Sequence, residues 1–442
     1  MGNGMVALTG ETGGRPPEVG VLSDAARLRA ILSASAGNLV EWFDFYAYAF
    51  TALYFSGQFF PKSEPLVQVM ATSGIFAAGF FMRPVGGWFF GRYADRHGRR
   101  ASMVLAVGLM GAGSLLIGCL PTFGSIGVAA PALLLAARML QGFSTGGEYG
   151  TAATYMSEVA APGRRGFWAS FQYVTLIGGQ LVATLVILVL QRLLSEDEMT
   201  RYGWRIPFLI GAVAAGVVLV LRRGLHETVG ITATDAGSLR ALFRGNARAF
   251  ATVVALTAGG SLSFYTFTTY MLKYLELTVG LARETATGVM TGVLVVFMAQ
   301  QPLLGWLSDR WGRRANIIVF GGGATLLTVP ILSALAKADG VATAALLVLA
   351  GLTINSFYTS VSGLFKAELF PIHVRALGVG LAYGVGNALF GGTAESVALA
   401  FKTSGHESGF YWYVTAVCAV SLLAALTLKD TRRDNVLDQP AG

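Results

Sequence analysis

Two acidic residues lie deep in the first long apolar stretch of the chain, where an ionisable side chain is costly. Glu41 and Asp44 fall within SASAGNLVEWFDFYAYAF, residues 33–50, and their spacing of three places both on one face of a helix. A charge at the centre of a bilayer costs from about 2.5 to more than 10 kcal/mol, depending on the estimate. Two carboxylates in one low-dielectric site cannot both ionise cheaply, so we expect the pair to carry a coupling proton. The alternative is that one of them only hydrogen-bonds a neighbouring helix.

The fourth apolar stretch carries a narrow polar stripe. Arg138, Gln141, Thr145 and Glu148 fall within about 80° of arc on a helix, which favours a water-filled path over lipid. Arg138 is suited to holding a carboxylate with two hydrogen bonds, and Glu148 either takes a proton or neutralises Arg138. A permanent pair of Arg138 with an acid in the same half of the chain is the alternative.

Further polar side chains are candidates for contact with a small anionic substrate. Arg83 lies about eight residues from the end of the second stretch, where it either meets the substrate or locks a gate. Gln172 and Tyr265 are candidate hydrogen-bond donors for which helix packing is an equal alternative, and Asn355 and Tyr358 lie on one face of the tenth stretch as candidate cavity residues. Lys273 and Lys366 lie near the ends of their stretches, so we expect their amines to reach towards the membrane surface.

The composition excludes a soluble enzyme. Of the 442 residues 54% are hydrophobic and only 13% are charged, with a mean hydropathy of +0.60, whereas soluble domains carry about 25% charged residues. The sequence contains no G-x-x-x-x-G-K-[ST] or H-E-x-x-H motif. We therefore expect no enzymatic activity, cofactor or metal, and the short basic loops do not predict nucleic-acid binding.

Twelve apolar stretches are long enough to span a bilayer, which takes about 20 residues each. They predict an all-α integral membrane protein of two six-helix bundles around a central cavity. The predicted organisation is a disordered cytoplasmic tail (1–28), an N-terminal bundle (29–223), a central cytoplasmic loop (224–248), a C-terminal bundle (249–428) and a cytoplasmic tail (429–442). Lys and Arg are far more numerous in the tails and even-numbered loops than in the opposite loops, which predicts that both termini are cytoplasmic.

The loops after the second and eighth stretches repeat one pattern. Residues 91–100 read GRYADRHGRR and residues 305–314 read GWLSDRWGRR. A second repeat follows the fourth and tenth stretches, where Glu158 and Arg165 match Glu368 and Arg375. Such matching implies two parallel six-helix repeats related by an axis along the membrane normal.

These repeated loops supply charges for a cytoplasmic gate. A carboxylate near a helix start is stabilised by the helix dipole, so we expect the acids to latch the two halves together and to release them as the halves rock. The alternative is that the arginines only fix the topology. The predicted gate residues are Asp95, Arg96, Arg99, Arg100, Glu158, Arg165, Asp309, Arg310, Arg313, Glu368 and Arg375.

The repeated loops resemble the signature of the major facilitator superfamily over nearly the whole chain. The first stretch, together with GFSTGGEYGTAATYMSEV (142–159) and VRALGVGLAYGVGNALFGGTAE (374–395), is similar to the metabolite–proton symporter branch of that family. The resemblance implies proton-coupled uptake of a dicarboxylate such as 2-oxoglutarate by a monomer in the bacterial inner membrane, with lipids around it. Carriers for citrate, shikimate and proline or betaine belong to the same branch and remain alternatives.

Overall fold

The chain folds into long helices. The computed structural model describes residues 24–61, 65–225, 227, 236–429 and 437, and within these ranges every regular element is a helix. Twelve helical segments in this part of the chain are long enough to be considered as spans: α1 Asp24–Phe59, α2 Pro65–His97, α3 Arg99–Cys119, α4 Ala129–Val159, α5 Arg165–Leu193, α6 Gly203–Arg222, α7 Leu239–Leu277, α8 Arg283–Trp311, α9 Arg313–Leu335, α10 Val341–Glu368, α11 375–403 and α12 Glu407–Leu426.

Hydropathy divides these segments into two groups. Eight of them are long and apolar enough to cross a membrane by length and composition alone. The other four, α1, α2, α4 and α11, carry ionisable residues in their interiors. Three of these four, α1, α2 and α4, carry buried charged residues in those interiors, as expected if they line the centre of the bundle rather than face lipid.

Four of the segments are locally interrupted. α5 is interrupted at Ser170, which keeps helical backbone angles, and α10 at Val361, whose φ of −117° and ψ of 1° are not helical. α7 and α11 each contain one π-helical turn, Thr266–Tyr270 and Asn387–Gly391. Such turns are rare within α-helices and are frequent at functional sites.

The helices pack as two halves. Within the N-terminal half (α1–α6), α2 packs on α4, α1 on α5, and α3 on α4 and α6; within the C-terminal half (α7–α12), α12 packs on α7 and α9. Contacts between the halves are made chiefly by α2 and α4 with α11, and by α5 with α8.

The predicted boundaries differ from the structure at two places. Residues 24–28, assigned to a disordered tail, already belong to α1, and residues 239–248 of the central loop form the start of α7, with a kink at Asn246. Leu242 is buried there, so this end of the loop folds against the bundle. Residues 1–23, 226 and 228–235, and all of the C-terminal tail except 429 and 437, lie outside the described residues.

Candidate functional site

Arg83 lies where the two halves meet. Its side chain is 1% exposed, and Nη1 donates to Asn387 Oδ1 at 2.6 Å and to Tyr265 Oη at 3.4 Å, both in the C-terminal half. The guanidinium also faces the rings of Phe80 at 4.0 Å and Phe45 at 5.2 Å. Among the described residues no carboxylate is within salt-bridge distance, so the aromatic walls and two neutral acceptors are its partners.

The two π-helical turns and several glycines create this contact. Tyr265 directly precedes the turn in α7, and Asn387 begins the turn in α11. A Cβ on Gly384 would come within 3.0 Å of the Arg83 carbonyl oxygen, and one on Gly146 would collide with the Arg83 backbone. Glycine therefore lets α2, α4 and α11 approach closely around Arg83.

Arg138 heads a hydrogen-bonded chain inside the N-terminal half. Nη1 donates to Gln141 Oε1 at 2.6 Å, Gln141 Nε2 donates to Ser114 Oγ at 2.9 Å, and Ser114 donates to Asp44. The guanidinium lies 4.2 Å from the ring of Tyr48. Arg138 and Asp44 are thus linked through two neutral side chains rather than by a direct ion pair.

The two acids of α1 enter different surroundings, contrary to the expectation of one shared site. Asp44 interacts electrostatically with Arg138, and its Oδ1 has no hydrogen-bond partner. Glu41 lies against α4, with Glu148 and Arg83 acting on it, and its Oε2 also lacks a partner. A separation of three residues turns the side chains by about 60° on a helix, which is enough for them to meet different neighbours.

Glu148 pairs with an arginine that was not predicted as a site residue. Arg222, the last residue of α6, is fully buried and donates to both carboxylate oxygens of Glu148, with Nη1 to Oε2 at 2.8 Å. It also donates to the carbonyl oxygens of Met103 at 2.8 Å and Ala34 at 2.9 Å. The predicted role of Glu148 as the neutraliser of Arg138 is therefore wrong. Arg222 was not predicted as the partner of Glu148, because an arginine at the end of an apolar stretch is usually expected at the membrane surface.

The other substrate candidates lie outside the Arg83 contact. Gln172 donates weakly to the Tyr149 carbonyl oxygen at 3.4 Å. Asn355 is buried with both side-chain polar atoms unpartnered, and the ring of Tyr358 packs on Phe320 at 5.1 Å. Of the six candidates, Arg83 and Tyr265 contact each other directly, and Arg138 lines one space together with Arg83. Asn387 was missed, although a lone amide in the apolar run of α11 was a signal for it.

The two lysines at span ends behave differently. Lys273 is about half exposed and pairs with Glu395, as expected for an amine that reaches the surface. Lys366 is fully buried and donates to Tyr149 Oη at 2.9 Å and to Ser362 Oγ at 2.8 Å. The expectation that Lys366 reaches the membrane surface is wrong, because the break at Val361 separates its short helical segment from the rest of α10.

The first repeated loop connects the halves at one end of the bundle, which we call the motif end and define by residues 91–100 and 305–314. Asp95 accepts backbone N–H bonds from Ala376 at 3.1 Å and from Leu377 at 2.9 Å. It also pairs with Arg99 at 2.5 Å. Glu158 in turn pairs with Arg99 at 3.3 Å and, across the interface, with Arg375 at 2.9 Å.

The second repeated loop makes the matching contacts. Asp309 accepts from the backbone N–H of Gly166 at 2.8 Å and of Phe167 at 3.0 Å, and Arg313 pairs with Asp309 at 3.0 Å and Glu368 at 3.4 Å. Each aspartate thus binds the first-turn amides of a helix in the opposite half, where the helix dipole favours an anion.

The remaining predicted gate residues lie beside these contacts. Arg96 donates to the Ala236 carbonyl oxygen at 2.8 Å, and Arg310 lies 3.8 Å from the ring of Trp306. Arg165 begins α5 as Arg375 begins α11. The backbone N–H groups of Arg99 and Arg100 donate to Glu227 at 2.7 and 3.2 Å. Glu227 of the central loop was missed, because no local pattern links it to α3.

Two parallel six-helix halves that meet around a buried guanidinium define a two-lobed, multi-pass integral membrane protein. The chain belongs to the Major Facilitator Superfamily, whose family model matches residues 34–394. It is 57% identical over 405 residues to the alpha-ketoglutarate permease of Escherichia coli (strain K12), an alignment that covers 91% of this chain and 94% of that protein.

Other similar proteins share the fold at lower identity. A citrate-proton symporter of Salmonella typhi is 34% identical, with 93% of this chain and 96% of that protein covered. Among solved structures, the proton:xylose symporter XylE bound to 6-bromo-6-deoxy-D-glucose matches with a TM-score of 0.80 at 18% identity, covering 94% of this chain and 99% of that one. The predicted twelve-helix, two-bundle fold is confirmed.

Proposed function

We propose that this chain is a secondary active transporter that takes up 2-oxoglutarate or a similar dicarboxylate together with protons by alternating access. The observation that carries the proposal is Arg83, a buried guanidinium without an acidic partner among the described residues, held between the two halves by Asn387 and Tyr265. The identity of 57% to an alpha-ketoglutarate permease supports the choice of substrate.

Arg83 is the proposed contact for a substrate carboxylate, and Tyr265 and Asn387 hold its guanidinium in place. A planar guanidinium binds a carboxylate with two parallel hydrogen bonds. The incoming carboxylate replaces neutral acceptors rather than an acid, so no ion pair has to break first. Arg138 supplies a second positive charge near the same space, which Phe45, Phe80 and Gly142 also line. Gln172, Asn355 and Tyr358 act from more remote positions.

Glu41 and Asp44 are the stronger candidates for the coupling proton. Each has a buried carboxylate oxygen without a hydrogen-bond partner, whereas Glu148 is held by Arg222. A buried carboxylate without a direct cation is stable only when protonated or when transiently hydrated. Asp44 is linked to Arg138 through Ser114 and Gln141, so a substrate that occupies Arg138 would alter the surroundings of Asp44.

The contacts at the motif end act as the proposed inner gate. The carboxylates of Asp95 and Asp309 hold the two halves together there, and their release would open the site towards the motif end. We infer that the motif end is cytoplasmic, that both termini lie in the cytoplasm of a bacterial cell, and that the protein works as a monomer among inner-membrane lipids. Neither catalysis nor nucleic-acid binding forms part of this proposal.

Uptake into proteoliposomes tests the proposal. Radiolabelled 2-oxoglutarate should accumulate under an inward proton gradient, and a protonophore should abolish the accumulation. Unlabelled 2-oxoglutarate should compete, whereas proline, betaine and shikimate should not. Uptake of citrate or shikimate instead would contradict the proposed substrate but would be consistent with the proposed transport mechanism. Uptake that does not respond to the gradient would contradict proton coupling.

A further inference from the structure

Lys366 lies in a cage of hydroxyl groups and aromatic rings between the two halves. The residue is fully buried, and its ammonium group donates to Tyr149 Oη at 2.9 Å and Ser362 Oγ at 2.8 Å. It also lies 4.7 Å from the ring of Tyr383 and 5.4 Å from that of Tyr358. Tyr149 belongs to the N-terminal half, so the cage closes across the interface.

No acid balances this cation within the part of the chain that the structure describes. Among the described residues no carboxylate lies within salt-bridge distance of Lys366, and the nearest acid in its own helix, Glu368, pairs with Arg313 instead. A buried ammonium is costly without an anion, and ring faces and neutral hydroxyls compensate only part of that cost. The cage therefore has the chemistry of a site for one negatively charged group.

The cage adjoins the Arg83 contact. Tyr383 stacks on Tyr149 with 3.4 Å between ring centroids. Tyr383 also lines a small space shared with Tyr265 and Asn387, the two partners of Arg83, and it acts electrostatically on Arg83. One tyrosine thus lies between two buried cations, Arg83 from the N-terminal half and Lys366 from the C-terminal half.

We propose that Lys366 binds the second carboxylate of a dicarboxylate whose first carboxylate is bound by Arg83. This inference rests on the proposed function and names the group that selects for two negative charges. Arg83 suits the planar end of a 2-oxo acid, since a guanidinium binds such a group through two hydrogen bonds, and Lys366 supplies a point charge for the far end. A monocarboxylate leaves the buried ammonium unpaired, and a site with an unpaired buried group rejects such an analogue.

Binding at Lys366 is connected to the motif end through the covalent chain. The bond from Lys366 to Tyr149 crosses the interface between the halves, and an incoming carboxylate competes with Tyr149 for the ammonium protons. The short segment Ser362–Glu368 carries both Lys366 and Glu368, and Glu368 pairs with Arg313 at the motif end. A ligand that displaces this segment therefore also moves Glu368, a predicted gate residue two positions from Lys366.

Equilibrium binding to the purified full chain tests the inference with two ligands. These are 2-oxoglutarate and 2-oxopentanoate, a 2-oxo acid of the same length that lacks the second carboxylate. Wild type should prefer 2-oxoglutarate by about 10- to 100-fold, the effect expected for a hydrogen bond to a charged group. Lys366→Gln should lose this preference because 2-oxoglutarate binds more weakly while 2-oxopentanoate binds as before.

Two further variants make the result specific. Lys402→Gln is the matched control, because Lys402 pairs with Glu407 at 3.2 Å near the chain's last helix and lies outside the site; its preference should equal that of wild type. Lys366→Arg keeps the charge and should keep a preference for two carboxylates. The Lys366 inference is overturned if wild type binds both ligands equally, or if folded Lys366→Gln keeps the full preference. Wild type that binds neither ligand would instead reject the proposed function itself.

Discussion

At the scale of single residues, the buried charges differ in whether they already have a partner. Glu148 is satisfied by Arg222, whereas Glu41 and Asp44 each keep one oxygen without a hydrogen bond. Arg83 and Lys366 have only neutral partners among the described residues. The satisfied pair is expected to hold the structure, and the unsatisfied groups are expected to bind protons and substrate.

The first prediction concerns the acids of α1. Asp44→Asn and Glu41→Gln remove a titratable group but keep the shape of the side chain. We expect at least one variant to lose gradient-driven accumulation of 2-oxoglutarate while it still exchanges internal for external substrate. Counterflow and gradient-driven uptake, measured on the same liposomes, separate the two activities. Normal accumulation by both variants would contradict a coupling role for these acids.

The second prediction concerns the pair of Glu148 and Arg222. Arg222→Gln leaves Glu148 buried and unpaired, so the free energy of unfolding should fall by about 3–5 kcal/mol. The double variant Glu148→Gln/Arg222→Gln removes both charges and should regain much of that loss. Thermal unfolding in detergent ranks the three proteins. A single variant as stable as wild type, or a double variant no better than the single, would show that the pair is not structural.

At the scale of helices, hydropathy and glycine determine much of the arrangement. Apolar runs predict where the helices lie, because a span in lipid must satisfy its backbone internally. Gly79 and Gly142 place α2 directly against α4, and a Cβ on Gly142 would collide with the Gly79 backbone. This close approach of α2 and α4 aligns Arg83 and Arg138 on neighbouring helices.

A glycine substitution tests this packing. Gly142→Ala should force α2 and α4 apart and destabilise the protein by about 1–3 kcal/mol, as overpacking does, with a matching loss of substrate binding. Gly216→Ala in α6 is the matched control, since an added Cβ there meets no atom within 4 Å. Its thermal stability should be unchanged or slightly higher. Equal effects of the two substitutions would argue against a special role for the α2–α4 contact.

The sequence predicted the fold better than it predicted the site. The repeated loops and the apolar runs are local patterns, and both predicted correctly where the helices and the connecting loops lie. Which side chains meet depends instead on how helices distant in the chain rotate and break. Arg222 lies at the end of an apolar stretch, and nothing local in the sequence shows that its side chain reaches Glu148. Lys366 appeared to be near the surface, and the break at Val361 leaves it buried.

At the scale of the whole molecule, the two halves are connected by two equivalent contacts at the motif end. Asp95 binds amides of α11, and Asp309 binds amides of α5. The contacts are related by the internal repeat, so a rigid rocking of one half against the other would break both in one motion. Glu227 accepts hydrogen bonds from the first amides of α3 and so holds the central loop beside the Asp95 contact.

Hydrogen exchange tests whether the two contacts open together. Asp95→Ala removes the acceptor for the amides of Ala376 and Leu377, so those amides should exchange faster. If the halves rock as rigid bodies, the amides of Gly166 and Phe167 should also exchange faster, although their own acceptor, Asp309, is intact. Asp339→Ala, outside both contacts, serves as the control. Acceleration confined to residues 376 and 377 would contradict a concerted gate.

The most direct test of the central claim is to follow protons and substrate together. Proteoliposomes with no initial pH gradient are given external 2-oxoglutarate while a pH-sensitive dye reports the lumen. The account predicts that the lumen acidifies as substrate enters, and that Asp44→Asn or Glu41→Gln uncouples the two. Entry of 2-oxoglutarate without any change in luminal pH would contradict proton symport.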